Sequence, residues 1–159
     1  MANVFDLHQR ATIEAAAERI VPADHDAGAR QTGVINYVES ALGGYDAEYA
    51  PLYITGVQEL DKLARERFAL QAFVQLRSDQ QDEILAHLEK EGSHFFSLLL
   101  EHTMQGFYGD PRHGGNRDGA SWKMIGFPGP THPKGYQPPF GWYDKNIPDE
   151  FDPDKKQRN

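Results

Sequence analysis

The apolar residues of this chain keep a helical rhythm as far as Gln105 and abandon it there. Ile13, Ala16, Ala17, Ile20 and Val21 recur at three- and four-residue steps, a stripe that Pro22 stops. Val34, Tyr37, Val38, Ala41 and Leu42 make a second stripe, ended by Gly43 and Gly44. Between the two, "ADHDAGARQTG" reads as a polar connection. Val57, Leu60, Leu63, Ala64 and Phe68 define a third helix. Ser78 and Gln81 have the spacing of a capping box and open a fourth, with Ile84, Leu85 and Leu88 as its buried face. A fifth carries Phe95, Phe96, Leu98, Leu99, Leu100 and Phe107, a pattern broad enough to require burial on more than one side. No segment alternates over enough residues to make a sheet. The expected fold is all-α, a bundle of about five helices.

After Gln105, glycine and proline accumulate, and both tryptophans, Trp122 and Trp142, lie there. Glycine and proline break helices, but a disordered linker is poor in aromatic residues. The segment "GFYGDPRHGGNRDGASWKMIGFPGP", residues 106–130, therefore reads as an ordered, irregular loop. The expected division is a helical domain over 1–130 that includes this loop, then an extended Pro- and aromatic-rich arm over 131–159. The arm's charged end, "DEFDPDKKQRN", is expected to fray.

Composition removes several function classes. The chain has 159 residues, one domain's worth, with a net charge of −8. An acidic chain repels phosphate backbones, so neither nucleic acid nor an anionic membrane surface is an expected partner. No apolar run approaches the ~18 residues of a membrane span. Cysteine is absent, which excludes disulfides, thiolate metal sites and cysteine catalysis. "MANVFDLHQRATIEAAAERI" has no basic start followed by an apolar stretch and no twin arginine, so no export signal is expected in the sequence as written.

Catalytic patterns are sparse. Glu91 and His94 form a Glu-x-x-His pair, read as one turn apart on one helix face. Di-metal sites in bundles need two such motifs, and a hydrogen-bonded surface pair is the plainer reading. His87, His94 and His102, read along one side of a helix, would extend over about 22 Å, too far for one metal. Ser121 lacks a Gly-x-Ser-x-Gly frame, and "GNRDGASWKMIG" is neither a dinucleotide fingerprint nor a phosphate loop. Gly114, Gly115 and Asn116 could form a backbone nest for an anion, helped by Arg112 and Arg117. Alternatively, the glycines permit close backbone approach and the arginines meet carboxylates across a protein interface.

The loop closely resembles the signature region of the gluconate 2-dehydrogenase subunit 3 family, approximately Tyr/Phe-x-Asp-Pro-x-Tyr-Gly-Gly-Asn, then Trp, then Gly-Tyr-Pro-Gly. Asp110, Pro111, Gly114, Gly115, Asn116, Trp122, Gly126, Pro128 and Gly129 stand at the matching places. His113 replaces the usual tyrosine before the glycine pair, and Phe127 the later one. Upstream, Pro22, Asp24, Gly28, Ala29, Gly33 and Val34 resemble the family's opening, and "FVQLRSDQQDEIL" its middle helix entry. The resemblance spans roughly residues 5–130.

The resemblance implies a non-catalytic small subunit, without a cofactor of its own, that binds, stabilises and helps mature a large partner. That partner is an FAD-dependent sugar or polyol dehydrogenase of the glucose–methanol–choline type, often served by a multihaem cytochrome. The periplasm is implied where a signal has been removed or the partner is exported, and the cytoplasm otherwise. The residues expected to meet the partner are Tyr108, Asp110, Pro111, Arg112, His113, Gly114, Gly115, Asn116, Arg117, Trp122, Phe127 and, on the arm, Trp142. Tyr108, Trp122 and Phe127 are the expected aromatic anchors. The alternatives are a stand-alone helical metal-binding protein or enzyme using Glu91 and His94, and a general scaffold for another client.

Overall fold

The computed structural model describes residues 4–70 and 72–130. Among them there are seven α-helices and no strand: α1 Leu7–Ile20, α2 Ala29–Thr32, α3 Val34–Leu42, α4 Ala50–Phe68, α5 Ser78–Lys90, α6 His94–Tyr108 and α7 Ala120–Met124. The fold is all-α, as the periodicity implies. The chain divides between Phe127 and Pro128, and the unit described below is the one before that point. The 131–159 arm, with Trp142, lies outside the described residues. No described helix is long and apolar enough to cross a membrane.

Each helix begins and ends for a local reason. The Asp6 carboxylate accepts from the Gln9 N–H (2.7 Å) while Gln9 accepts from the Asp6 N–H (3.0 Å), a capping box that starts α1. The polar connection after α1 is shaped by Glu18, whose carboxylate accepts the N–H groups of Ala23 (3.1 Å) and Arg30 (2.8 Å). That hold allows the short α2 to form, with Ala29 and Thr32 buried, where the sequence suggested only a connection. Two buried residues within four are too few to show a helical period. Gly33, at φ +73°, then turns the chain into α3.

The entry to α5 differs from expectation. Arg77, in extended conformation, is the cap residue, and Gln80 accepts its N–H (3.0 Å). Gln81 is buried instead and donates its amide to the Phe73 carbonyl (3.1 Å), tying α5 to the 3₁₀ turn Phe73–Gln75. A second correction concerns Glu91 and His94. Glu91 is the C-cap of α5, Gly92 reverses the chain at φ +69°, and Ser93 caps α6 by accepting the Phe96 N–H. The pair therefore does not share a helix face, and His87 and His94 sit on different helices. The glycine resets the direction between residues that sequence spacing alone places one turn apart.

α6 is the central element. Helices α1 to α5 and α7 all pack against it. It buries Phe95, Phe96, Leu98, Leu99, His102, Thr103, Gly106 and Phe107. The breadth of that set matches the pattern expected, apart from the more exposed Leu100. α4 approaches closely because Gly56 faces the Phe95 ring with no room for a side chain. Gly56→Ala is expected to force those helices apart and cost about 1–3 kcal/mol, read as a lower urea midpoint with an unchanged m-value.

Candidate functional site

The candidate site is the loop that leaves α6, and two glycines decide where it lies. A Cβ on Gly106 would sit 3.0 Å from the Cβ of Tyr37, so α6 and α3 meet backbone to ring there. Gly115 folds back so that its α-carbon faces the Gly106 carbonyl, where any side chain would collide. Gly114, at φ +102°, rests against the Asn36 carbonyl of α3. The glycine pair thus serves close approach to the chain's own helices. Of the expected nest, the Gly114 N–H is taken by the Pro111 carbonyl, and just before it the N–H groups of Arg112 and His113 are taken by the Asp110 carboxylate and the Asp110 carbonyl.

Asn116 locks the turn. It is fully buried at φ +44°, a left-handed conformation that asparagine tolerates better than most residues. Its amide donates to the Gly109 carbonyl (2.8 Å), and its oxygen accepts from the Ser121 N–H (3.0 Å) and hydroxyl (2.8 Å). One side chain therefore joins the end of α6 to the start of α7. Trp122, half-buried, adds a second link by donating its indole N–H to the Tyr108 carbonyl (2.7 Å). Phe127 stands edge-on to Trp122, with ring centres 5.1 Å apart.

The charged residues divide into two groups. Arg112 grips Asp110 with both arms of its fork, at 3.0 and 2.7 Å. That bond, with the Arg112 backbone N–H, holds the Asp110 carboxyl down at about 2. Because this value is depressed, the pair is intact at neutral pH and is lost only as pH falls through the carboxylate range toward 2. Arg117 lies over Gly33, whose missing Cβ leaves room for the guanidinium. Arg117 and Lys123 have no carboxylate partner among the described residues.

Two groups outside the loop hold its base, and neither stood out in the sequence. Arg10 of α1 donates to Glu39 (3.2 Å) and to the Asn36 side chain (2.8 Å), fixing the part of α3 on which the glycine pair rests. In the interior, Tyr53 contacts His102 Nδ1 (2.9 Å), and His102 Nε2 contacts Asp46 (3.1 Å). A carboxylate accepts, so Nε2 donates to Asp46, and in the neutral ring Nδ1 accepts from the tyrosine. Burial pushes the Tyr53 phenol well above its ordinary pKa, which keeps it a donor. Polar residues at single helical positions give no periodic signal, so only the structure connects them.

Of the residues expected to meet a partner, Tyr108, Arg112, His113, Gly114, Arg117 and Phe127 are exposed, and Asp110, Pro111 and Trp122 are partly so. Gly115 and Asn116 are buried and act through the shape they give the loop. Asp24, His25 and Asp26, in the connection after α1, bring three possible ligand atoms within 4.8 Å of one another.

The family model of gluconate 2-dehydrogenase subunit 3 matches residues 7–129, from the first residue of α1 to the end of the loop. The chain belongs to that family. No curated protein and no solved structure matches it. The family match covers the helices that hold the loop as well as the loop itself.

Asn116→Gly keeps the left-handed backbone and removes only the side-chain bonds. It is expected to lower stability by about 1–3 kcal/mol. In a Trp142→Phe background, Trp122 emission should shift to the red as the link to α6 loosens.

Proposed function

We propose that the chain is a non-catalytic small subunit that binds and stabilises a large FAD-dependent dehydrogenase acting on sugars or polyols, and that the signature loop is part of the surface that meets it. Family membership supports the subunit role. The observation that carries the surface role is the loop's construction. Asn116 fixes its path from inside, while Tyr108, Phe127 and half-buried Trp122 are left accessible. A surface with its shape set before binding loses little entropy on association, and buried aromatic residues dominate such contacts.

The flavin belongs to the partner in this reading. The described residues contain no strand, hence no strand–turn–helix unit that places a dinucleotide's phosphates on a helix N-terminus. The family's role in maturation follows the same logic: a partner held in its folded state by binding is stabilised by mass action. Glu91 and His94 lie on either side of the α5–α6 turn and not on one helix face, so they are not the helical Glu-x-x-His pair of a bundle metal site.

Trp122→Ala tests the reading. The isolated variant should still melt cooperatively with a helical spectrum. Its affinity for the large flavoprotein subunit should fall about 30-fold, equivalent to about 2 kcal/mol. The wild-type chain purified alone should carry no flavin absorbance. Unchanged capture of the flavoprotein by the variant, or stoichiometric FAD on the lone chain, would contradict it.

A further inference from the structure

Six of the nine exposed large apolar side chains among the described residues lie on α6 or at the end of the loop that leaves it. Leu100, Met104 and Tyr108 follow one another at four-residue steps on α6 and form a ridge about 12 Å long. The other three, Met124, Ile125 and Phe127, lie at the end of the loop, and each of the six is 38–57% exposed. The joint is the Trp122–Tyr108 hydrogen bond, which brings the α7 turn beside the last residue of the ridge. α6 is otherwise the most enclosed helix of the fold, so solvent exposure of its remaining face is not forced by a shortage of neighbours. At the other end, Leu100 lines a shallow groove with Ile20, Leu85 and Phe96, rimmed by the Arg19–Asp82 pair and Glu89. Exposed apolar side chains concentrated on one helix and the turn tied to its end mark an interaction face.

We propose that this ridge and the end of the loop form one docking face for an apolar surface of the large flavoprotein subunit edged with carboxylates. The inference rests on the subunit reading above and adds where the contact lies and what it meets. Charge selects the occupant. The chain carries −8 overall, yet Lys123, between Trp122 and Met124, has no carboxylate partner among the described residues, nor does Arg117 earlier in the same loop. A carboxylate-edged partner satisfies those cations. A second copy of this chain in a two-fold contact would bring the same cations to the same face and add another −8.

Methionine footprinting on the wild-type proteins tests the face without disturbing it. Both Met104 and Met124 are accessible to hydrogen peroxide in the free chain. In the complex with the large flavoprotein subunit, oxidation of both should slow about 10-fold or more, as contact burial excludes the oxidant. Two surface variants add a second readout. Met104→Asp should weaken binding about 10-fold or more, and Lys123→Glu should weaken it most at low salt. Val74→Asp, at an exposed apolar residue on another element, should bind as wild type.

A complex that forms with Met104 and Met124 as reactive as before, or with Met104→Asp at wild-type affinity, would overturn the docking face and leave the subunit reading standing. Unchanged binding by Lys123→Glu would overturn the carboxylate edge. No complex with the wild-type chain would overturn both readings. A free chain that is dimeric and becomes monomeric with Met104→Asp would assign the face to a second copy.

Discussion

The enclosure of α6 is the constraint on which the other features rest. Six helices pack against it, so its core-facing residues have little freedom to slide or rotate. Gly56 and Gly106 set two of those approaches by having no side chain in the way. His102 adds direction to the packing: Tyr53 and Asp46 bind its two nitrogens from α4 and from just before it. An apolar residue of similar size would fill the space and leave both partners without a bond. The interior thus fixes α6 by shape and by hydrogen bonding together.

The loop inherits that fixed position. Its first half folds back on Gly106 and Asn36, and its second half is tied to Gly109 and Tyr108 through Asn116 and Trp122. The loop therefore resembles an extension of α6 more than a flexible connection. This arrangement explains how a segment rich in helix breakers can still present aromatic groups in a defined geometry. Arg117 and Lys123, without a carboxylate partner among the described residues, and the exposed ridge of α6 are then presented from that support.

The larger helices were legible because their buried faces repeat. The α3 stripe is buried at Val34, Tyr37, Val38, Ala41 and Leu42, the positions its spacing indicates. The short α2 was not legible, since its stability comes from Glu18 bonding across the connection. Glu91 and His94 misled because spacing of three residues means one helical turn only where no turn intervenes, and Gly92 supplies one. In the loop, the glycines and Asn116 were recognisable as a pattern, but their work was not. A sequence shows that Gly115 is small; it does not show that the Gly106 carbonyl occupies the space beside it. The Arg10–Asn36 contact and the Tyr53–His102–Asp46 chain join residues far apart in sequence, and no local rule links them.

Hydrogen exchange of the free chain tests the account most directly, because its central claim is that the loop is shaped before any partner arrives. The Ser121 amide, bonded to Asn116 Oδ1, is the reporter, and the Leu99 amide in the centre of α6 is the reference. If the loop is an extension of the core, Ser121 exchanges slowly, with an opening free energy close to that of Leu99 and the same dependence on denaturant. If Ser121 instead exchanges at the rate of an open chain and gains protection only in the complex, the loop is moulded by its partner and the account is wrong.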